Sequence, residues 1–167
     1  MALTTQLTAQ IAAELTQTVG LVNAVLSIKG ETVTSLASGT GSSQADKIYQ
    51  AQRTLSASAT EDLDLAGVLT DIFGAAITFA KVKAIYIKAA SGNTNNVVVG
   101  GASATQFVAG FGAATHTFAI PPGGFLFVSA PVSGWTVGAG SADLLKVANS
   151  GGGTSVTYDI VVVGTSA

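Results

Sequence analysis

Val82-Lys83-Ala84-Ile85-Tyr86-Ile87-Lys88, then Ser91-Gly92-Asn93-Thr94-Asn95-Asn96, then Val97-Val98-Val99 is the stretch that decides the fold class. The first run is dense in β-branched and aromatic residues, which suit a pleated, half-buried surface. The middle run is a turn, because Gly and Asn tolerate positive φ and Asn side chains bond their own backbone. The third run resumes the strand. Strand, turn and strand in 18 residues predict antiparallel β-structure.

The same grammar continues on both sides. Downstream, Thr115-His116-Thr117-Phe118-Ala119-Ile120 alternates towards Pro121-Pro122-Gly123-Gly124, a connector because proline cannot donate to a ladder. Phe125 to Ala130, Trp135 to Val137, Leu144 to Ala148 and Val156 to Val163 read as further strands, with a short one at Gln106 to Val108. Upstream, Thr54 to Ala59 and Ala76 to Ala80 have the same texture. Roughly seven to nine short strands with turn chemistry between them predict an all-β fold, an antiparallel β-sandwich of jelly-roll type. No long helical period separates the strands, which disfavours a parallel α/β sheet.

The first segment differs. Leu3, Leu7, Ile11 and Leu15 recur every four residues, which fits a short amphipathic helix ending near Gly20. All four are odd-numbered, so they also fit one face of a strand. Lys29-Gly30-Glu31-Thr32 has the composition of a turn into a short extended piece, Thr32 to Leu36. Ser38-Gly39-Thr40-Gly41-Ser42-Ser43-Gln44 is the best linker in the chain. The expected organisation is therefore an N-terminal arm and Gly/Ser linker over residues 1–44, with a short helix or strand, and a β-sandwich domain over residues 45–167. Ala45 to Arg53 fits a helical turn or an extended connector.

Composition narrows the function. Of 167 residues, 48% are hydrophobic and only 10% charged, against roughly 25% charged in ordinary soluble proteins. A surface so poor in charge repels its copies weakly, which favours a chain that works assembled. Net charge is −2 with seven basic residues dispersed, so no footprint for nucleic acid exists. The absence of cysteine removes thiolate chemistry and Cys-ligated metal. The mean hydropathy of +0.53 comes from Ala and Val in strands; the richest window, Phe107 to Val132, is cut by the Pro-Pro-Gly-Gly unit, so no membrane span is expected. The N-terminus, Met1 to Gln6, has neither the basic region nor the apolar core of a secretory signal.

From Ala89 to Ala142 the chain runs 54 residues without Asp, Glu, Lys or Arg, and its only titratable side chain there is His116. Chemistry at neutral pH needs converging acids, bases or nucleophiles, so no enzyme is expected and no catalytic, cofactor-binding or metal residues are assigned. His116 between two threonines reads as structural. Glu61, Asp62, Asp64 and Asp71 form one acidic cluster of the kind calcium favours, but without EF-hand spacing they read as a solvated face. Gly39 to Gln44 superficially matches a phosphate loop and lacks its lysine. Tyr49, Tyr86, Trp135 and Tyr158 could line a sugar-binding face, or sit in the core or at an interface.

Lys83 to Ile87, Ser91 to Gly101, Ile120 to Gly124 and Val156 to Gly164, together with Gln44-Ala45-Asp46-Lys47 and Asp62 to Gly67, give residues 45–167 a style that resembles small virion proteins of tailed bacteriophages. In particular it resembles capsid decoration, or cement, proteins, whose jelly-roll-like sandwiches clamp the shell from outside. That resemblance implies a non-enzymatic structural protein on the capsid exterior of the virion, bridging subunits of the major capsid protein. Its partners would be that protein and copies of itself, as a dimer or trimer, without nucleic acid or membrane. The alternative is an adhesion module of a head fibre or tail that binds host-surface glycans through loops such as Ser91 to Asn96 and through Trp135.

Overall fold

The computed structural model describes residues 2–101 and 104–167. Every regular element among them is a strand, and the architecture is an antiparallel β-sandwich carrying a projecting hairpin.

The hairpin is built from β1 (Thr5–Val19) and β2 (Val22–Ser38), paired antiparallel from Thr5↔Leu36 to Val19↔Val22. Its two-residue turn is Gly20-Leu21, with Gly20 at φ 63°, the positive value such turns require. The arm is thus strand, not helix. The four-residue spacing of Leu7, Ile11 and Leu15 satisfies both periods, and pairing with the β-branched β2 decides between them. Lys29 to Thr32 is likewise no turn. Gly30 does not adopt positive φ, and β2 runs straight through it opposite Ile11.

Residues 39–43 fold into a compact turn rather than a loose linker. Ala37 N–H donates to Ser43 O and Gly39 N–H to Ala45 O, both at 3.2 Å, and β3 (Gln44–Ala45) lies parallel to the end of β2. β4 (Lys47–Leu55) follows as a long strand in the segment for which a helical turn was an option. β5 (Thr60–Asp64), the short pair β6 (Leu69–Thr70) and β7 (Ala76–Ile77), and β8 (Lys81–Ala89) come next. The expected strands at Thr54 to Ala59 and Ala76 to Ala80 shrink, because Ser56 to Ala59 turns the chain from β4 to β5 and β7 stops at Ile77. β9 (Val97–Gly100), β10 (Thr117–Ile120), β11 (Phe125–Ser129), β12 (Trp135–Thr136), β13 (Leu144–Asn149) and β14 (Val156–Thr165) complete the chain. Gln106 makes only an isolated bridge to Leu144, not a strand.

A five-stranded and a four-stranded sheet form the sandwich: β4-β14-β8-β11, with β12 also paired to β8, and β5-β13-β9-β10. The 54 uncharged residues supply strands to both sheets: β9 and β10 to one, β11 and β12 to the other. Between the sheets lies the main core, including Ile85, Ile87, Ile160 and Val162 from one and Leu63, Val97, Val99, Leu145 and Val147 from the other. Alternation along β13, where Leu145, Val147 and Asn149 are buried and their neighbours half-buried, is the pattern of a sheet with one covered face.

A second, smaller core explains how the hairpin is rooted. Leu7, Leu36 and Ala45 pack on Ala84 and Val163, with Phe127 and Val161 at the margin. The base of the arm therefore covers part of the outer surface of the β4-β14-β8-β11 sheet, around Ala84 and Val163.

Candidate interaction surfaces

The register of the hairpin sorts its side chains onto two faces, since directly paired residues in an antiparallel ladder point the same way. One face carries Leu7, Ile11, Ala13, Leu15 and Val19 from β1 with Leu36, Ile28, Leu26, Ala24 and Val22 from β2. The other carries Gln6, Gln10 and Glu14 with Ser27, Lys29 and Glu31, alongside Val25 and Val33, so every charge of the hairpin lies there. Lys29 and Glu31 form an ion pair at 2.7 Å on that polar side, and Thr18 Oγ1 donates to Asn23 Oδ1 at 2.9 Å near the tip. Only the root of the apolar face is covered, at Leu7 and Leu36. Beyond it Ile11 is 76% exposed and Leu15 67%, while Leu21 at the tip is fully exposed. Sequence reading found the β1 half of this face through its odd-numbered spacing; the β2 half was hidden because Lys29 to Thr32 resembled a turn.

The acidic cluster does not converge. Glu61 turns inward and accepts from Arg53 Nε at 2.6 Å through Oε2 and from Tyr158 OH at 2.6 Å through Oε1. Arg53 Nη1 also donates to Tyr49 OH at 3.3 Å. Arg53, Tyr49 and Tyr158 belong to one sheet and Glu61 to the other, so this network clasps the sandwich. Burial and then the hydrogen bond to Glu61 push the Tyr158 phenol far above its ordinary range. The bond to Glu61 likewise holds the Arg53 guanidinium more firmly protonated. Asp62 is exposed opposite Lys146. Asp64 accepts from Ala66 N–H at 3.0 Å, and Asp71 from Phe73 and Ala75 N–H at 2.9 Å each, so both carboxylates close turns. Among the described residues no three His, Cys, Asp or Glu side chains are grouped to hold a metal ion.

The glycine-rich turn has its own physical reason. Gln44 folds back so that its Oε1 accepts from Gly41 N–H at 2.8 Å, and a Cβ at Gly39 would fall 2.5 Å from that oxygen. Glycine at 39 makes room for a side chain of the same loop. His116 is exposed, and its Nδ1 lies 2.8 Å from Phe111 O. It borders an open apolar groove of about 300 Å³ between Phe111, Phe118, Leu126 and Val128.

The four aromatic residues do not share a face. Tyr49 and Tyr158 are core side chains. Tyr86 lies on the outer side of β8, its ring centroid 6.0 Å from that of Phe125, and Trp135 is half-buried against Gly110.

Lys83 is a further residue that sequence reading passed over. It is buried, and its Nζ donates to Val132 O at 2.7 Å and Gly41 O at 3.4 Å. Burial and the nearby Lys81 lower its pKa. These bonds pin the turn at the root of the arm to the β11–β12 connection. Nothing local in the sequence marks Lys83, since a lysine in a strand is normally exposed.

A second exposed apolar patch lies near the root of the arm, where Ile72 (67% exposed) and Phe73 (71%) project from the β6–β7 turn and line, with Leu3, Ile48 and Ile77, an open depression of about 560 Å³. The molecule thus exposes apolar surface in two places, the hairpin face being the more extended. No protein-family model matches the chain, and no curated protein and no solved structure matches it either.

Proposed function

We propose that this chain is a non-enzymatic structural protein of a tailed-bacteriophage virion, a decoration protein that sits on the capsid exterior and bridges major capsid subunits. The phage assignment rests on the resemblance of residues 45–167. The observation that carries the assembly reading is the hairpin, whose apolar face leaves the sandwich and continues uncovered. A monomer working alone in water rarely keeps such a face, and an isolated two-stranded hairpin is at best marginally stable. A cement protein acts by burying area across subunit joints, so a modest gain per copy is multiplied by the lattice.

The strand order supports a jelly-roll reading of the sandwich. Numbering its eight principal strands along the chain, one sheet runs first, eighth, third, sixth and the other second, seventh, fourth, fifth, consistent with the two Greek keys of that fold.

Purified virions test the function. The chain is expected at a fixed ratio to the major capsid protein, and heads lacking it should open at lower temperature. Particle binding in the absence of host glycans separates this reading from an adhesion module. Absence of the chain from particles would sink it.

A further inference from the structure

We infer that the apolar face of the β1–β2 hairpin is the site at which a second copy of this chain binds, hairpin against hairpin, face to face. The inference deepens the assembly reading and rests on it only in treating the arm as a contact element.

Three features of the face select this occupant. Its outer part presents six large aliphatic side chains, Ile11, Leu15, Val19, Val22, Leu26 and Ile28, each more than half exposed. At roughly 100 Å² of apolar surface for each, they offer about 600 Å² per copy. Two copies would bury about 1,200 Å², which reaches the size of a specific interface. The face also carries no charge, because Glu14, Lys29 and Glu31 all point the other way. Two copies can therefore meet without burying an unpaired ion, and each keeps its polar side in water. Finally, the same face already packs in this manner at its root, where Leu7 and Leu36 cover Ala84 and Val163 of the sandwich. A hairpin is a twisted strip about 10 Å wide, and an identical strip matches it in width, length, twist and polarity. Such a contact is self-complementary, as a two-fold interface requires.

The consequence is a two-layer β-structure from two arms, in which each hairpin gains the packing partner that a lone hairpin lacks.

Sedimentation equilibrium of the full chain, without particles, tests the inference directly. A dimer is expected at about 1–100 μM chain, the weak affinity of an interface at the lower size limit of specific contacts. Leu15 and Leu26 are cross-strand partners on the apolar face, and Thr16 and Val25 are the adjacent pair on the polar face. The double variant Leu15→Lys with Leu26→Lys should weaken dimerisation at least about 100-fold. Thr16→Lys with Val25→Lys adds the same charge at the same height and should change it less than about 3-fold. A wild-type chain that stays monomeric up to about 100 μM, or equal weakening by both variants, overturns the inference.

Because lysines at the apolar face could also unfold the arm, crosslinking gives a second measurement. The chain has no cysteine, so single Ala13→Cys and Ala12→Cys variants report on opposite faces. Face-to-face sheets sit about 10 Å apart, too far for a direct disulfide but within reach of a short bis-maleimide. Ala13→Cys should give covalent dimer and Ala12→Cys should not; equal yields from both would refute the face-to-face contact. A monomer that still binds capsids would sink this inference alone, whereas a dimer absent from virions would sink the decoration reading alone.

Discussion

The hairpin arm and the sandwich are made of the same material and end in opposite conditions. Both are antiparallel strands whose apolar residues alternate. In β13, Leu145 and Val147 are at most 1% exposed; in β2, Leu26 and Ile28 are 55% and 58% exposed. Alternation states which side of a strand is apolar. It does not state what covers that side, because cover comes from another sheet, and β1–β2 has one only at its root.

Core truncation separates the two regions most strongly. Ile87→Ala, at a fully buried position of β8, should cost about 2–5 kcal/mol in denaturant unfolding. Ile11→Ala, on the uncovered part of the arm, should cost less than about 0.5 kcal/mol at dilutions where copies do not meet. A comparable loss at Ile11 under dilution would mean that the arm is already packed within one chain.

The two ion pairs draw the same contrast more finely. Glu61→Gln disrupts the clasp among Arg53, Tyr158 and Glu61 and should cost about 2–3 kcal/mol, below the fully buried range because Arg53 is partly solvated. Glu31→Gln removes the exposed Lys29 pair of the arm and should cost about 0.5 kcal/mol or less. Matched losses in thermal melts would place the two pairs in similar surroundings.

Alkaline titration reads the most local effect, a single phenol. Burial raises the Tyr158 phenol above the ordinary value near 10, so above that pH the unfolded chain has lost a proton that the folded chain keeps. The stability contributed by Tyr158 is thus fully present below about pH 10 and declines as pH rises, by up to about 1.4 kcal/mol per unit. Tyr158→Phe should flatten this decline in urea titrations from pH 9 to 11. An unchanged slope would show that the phenol is not sealed in the sandwich.

Ser91 to Asn96 and Pro121 to Gly124 announced their turns because Gly, Asn and Pro restrict the backbone locally. Val82 to Lys88 and Val156 to Val163 announced strands for an equally local reason. Leu7, Ile11 and Leu15 fitted two periods, and the tie was broken only by a partner strand. Glu61 looked like one carboxylate among four, yet its phenol partner lies 97 residues away. Lys83 gave no warning of its burial.

The all-β class, most turn positions and the apolar side of β1 are readable from the chain alone, because they depend on neighbours a few residues apart. The order β4-β14-β8-β11, the clasp at Glu61, the burial of Lys83 and the continuation of β2 through Gly30 arise from the folded arrangement. It alone divided the apolar surface into a covered core and an uncovered arm. Those outcomes depend on which distant segments meet, and a strand pairs through backbone groups that are the same at nearly every residue.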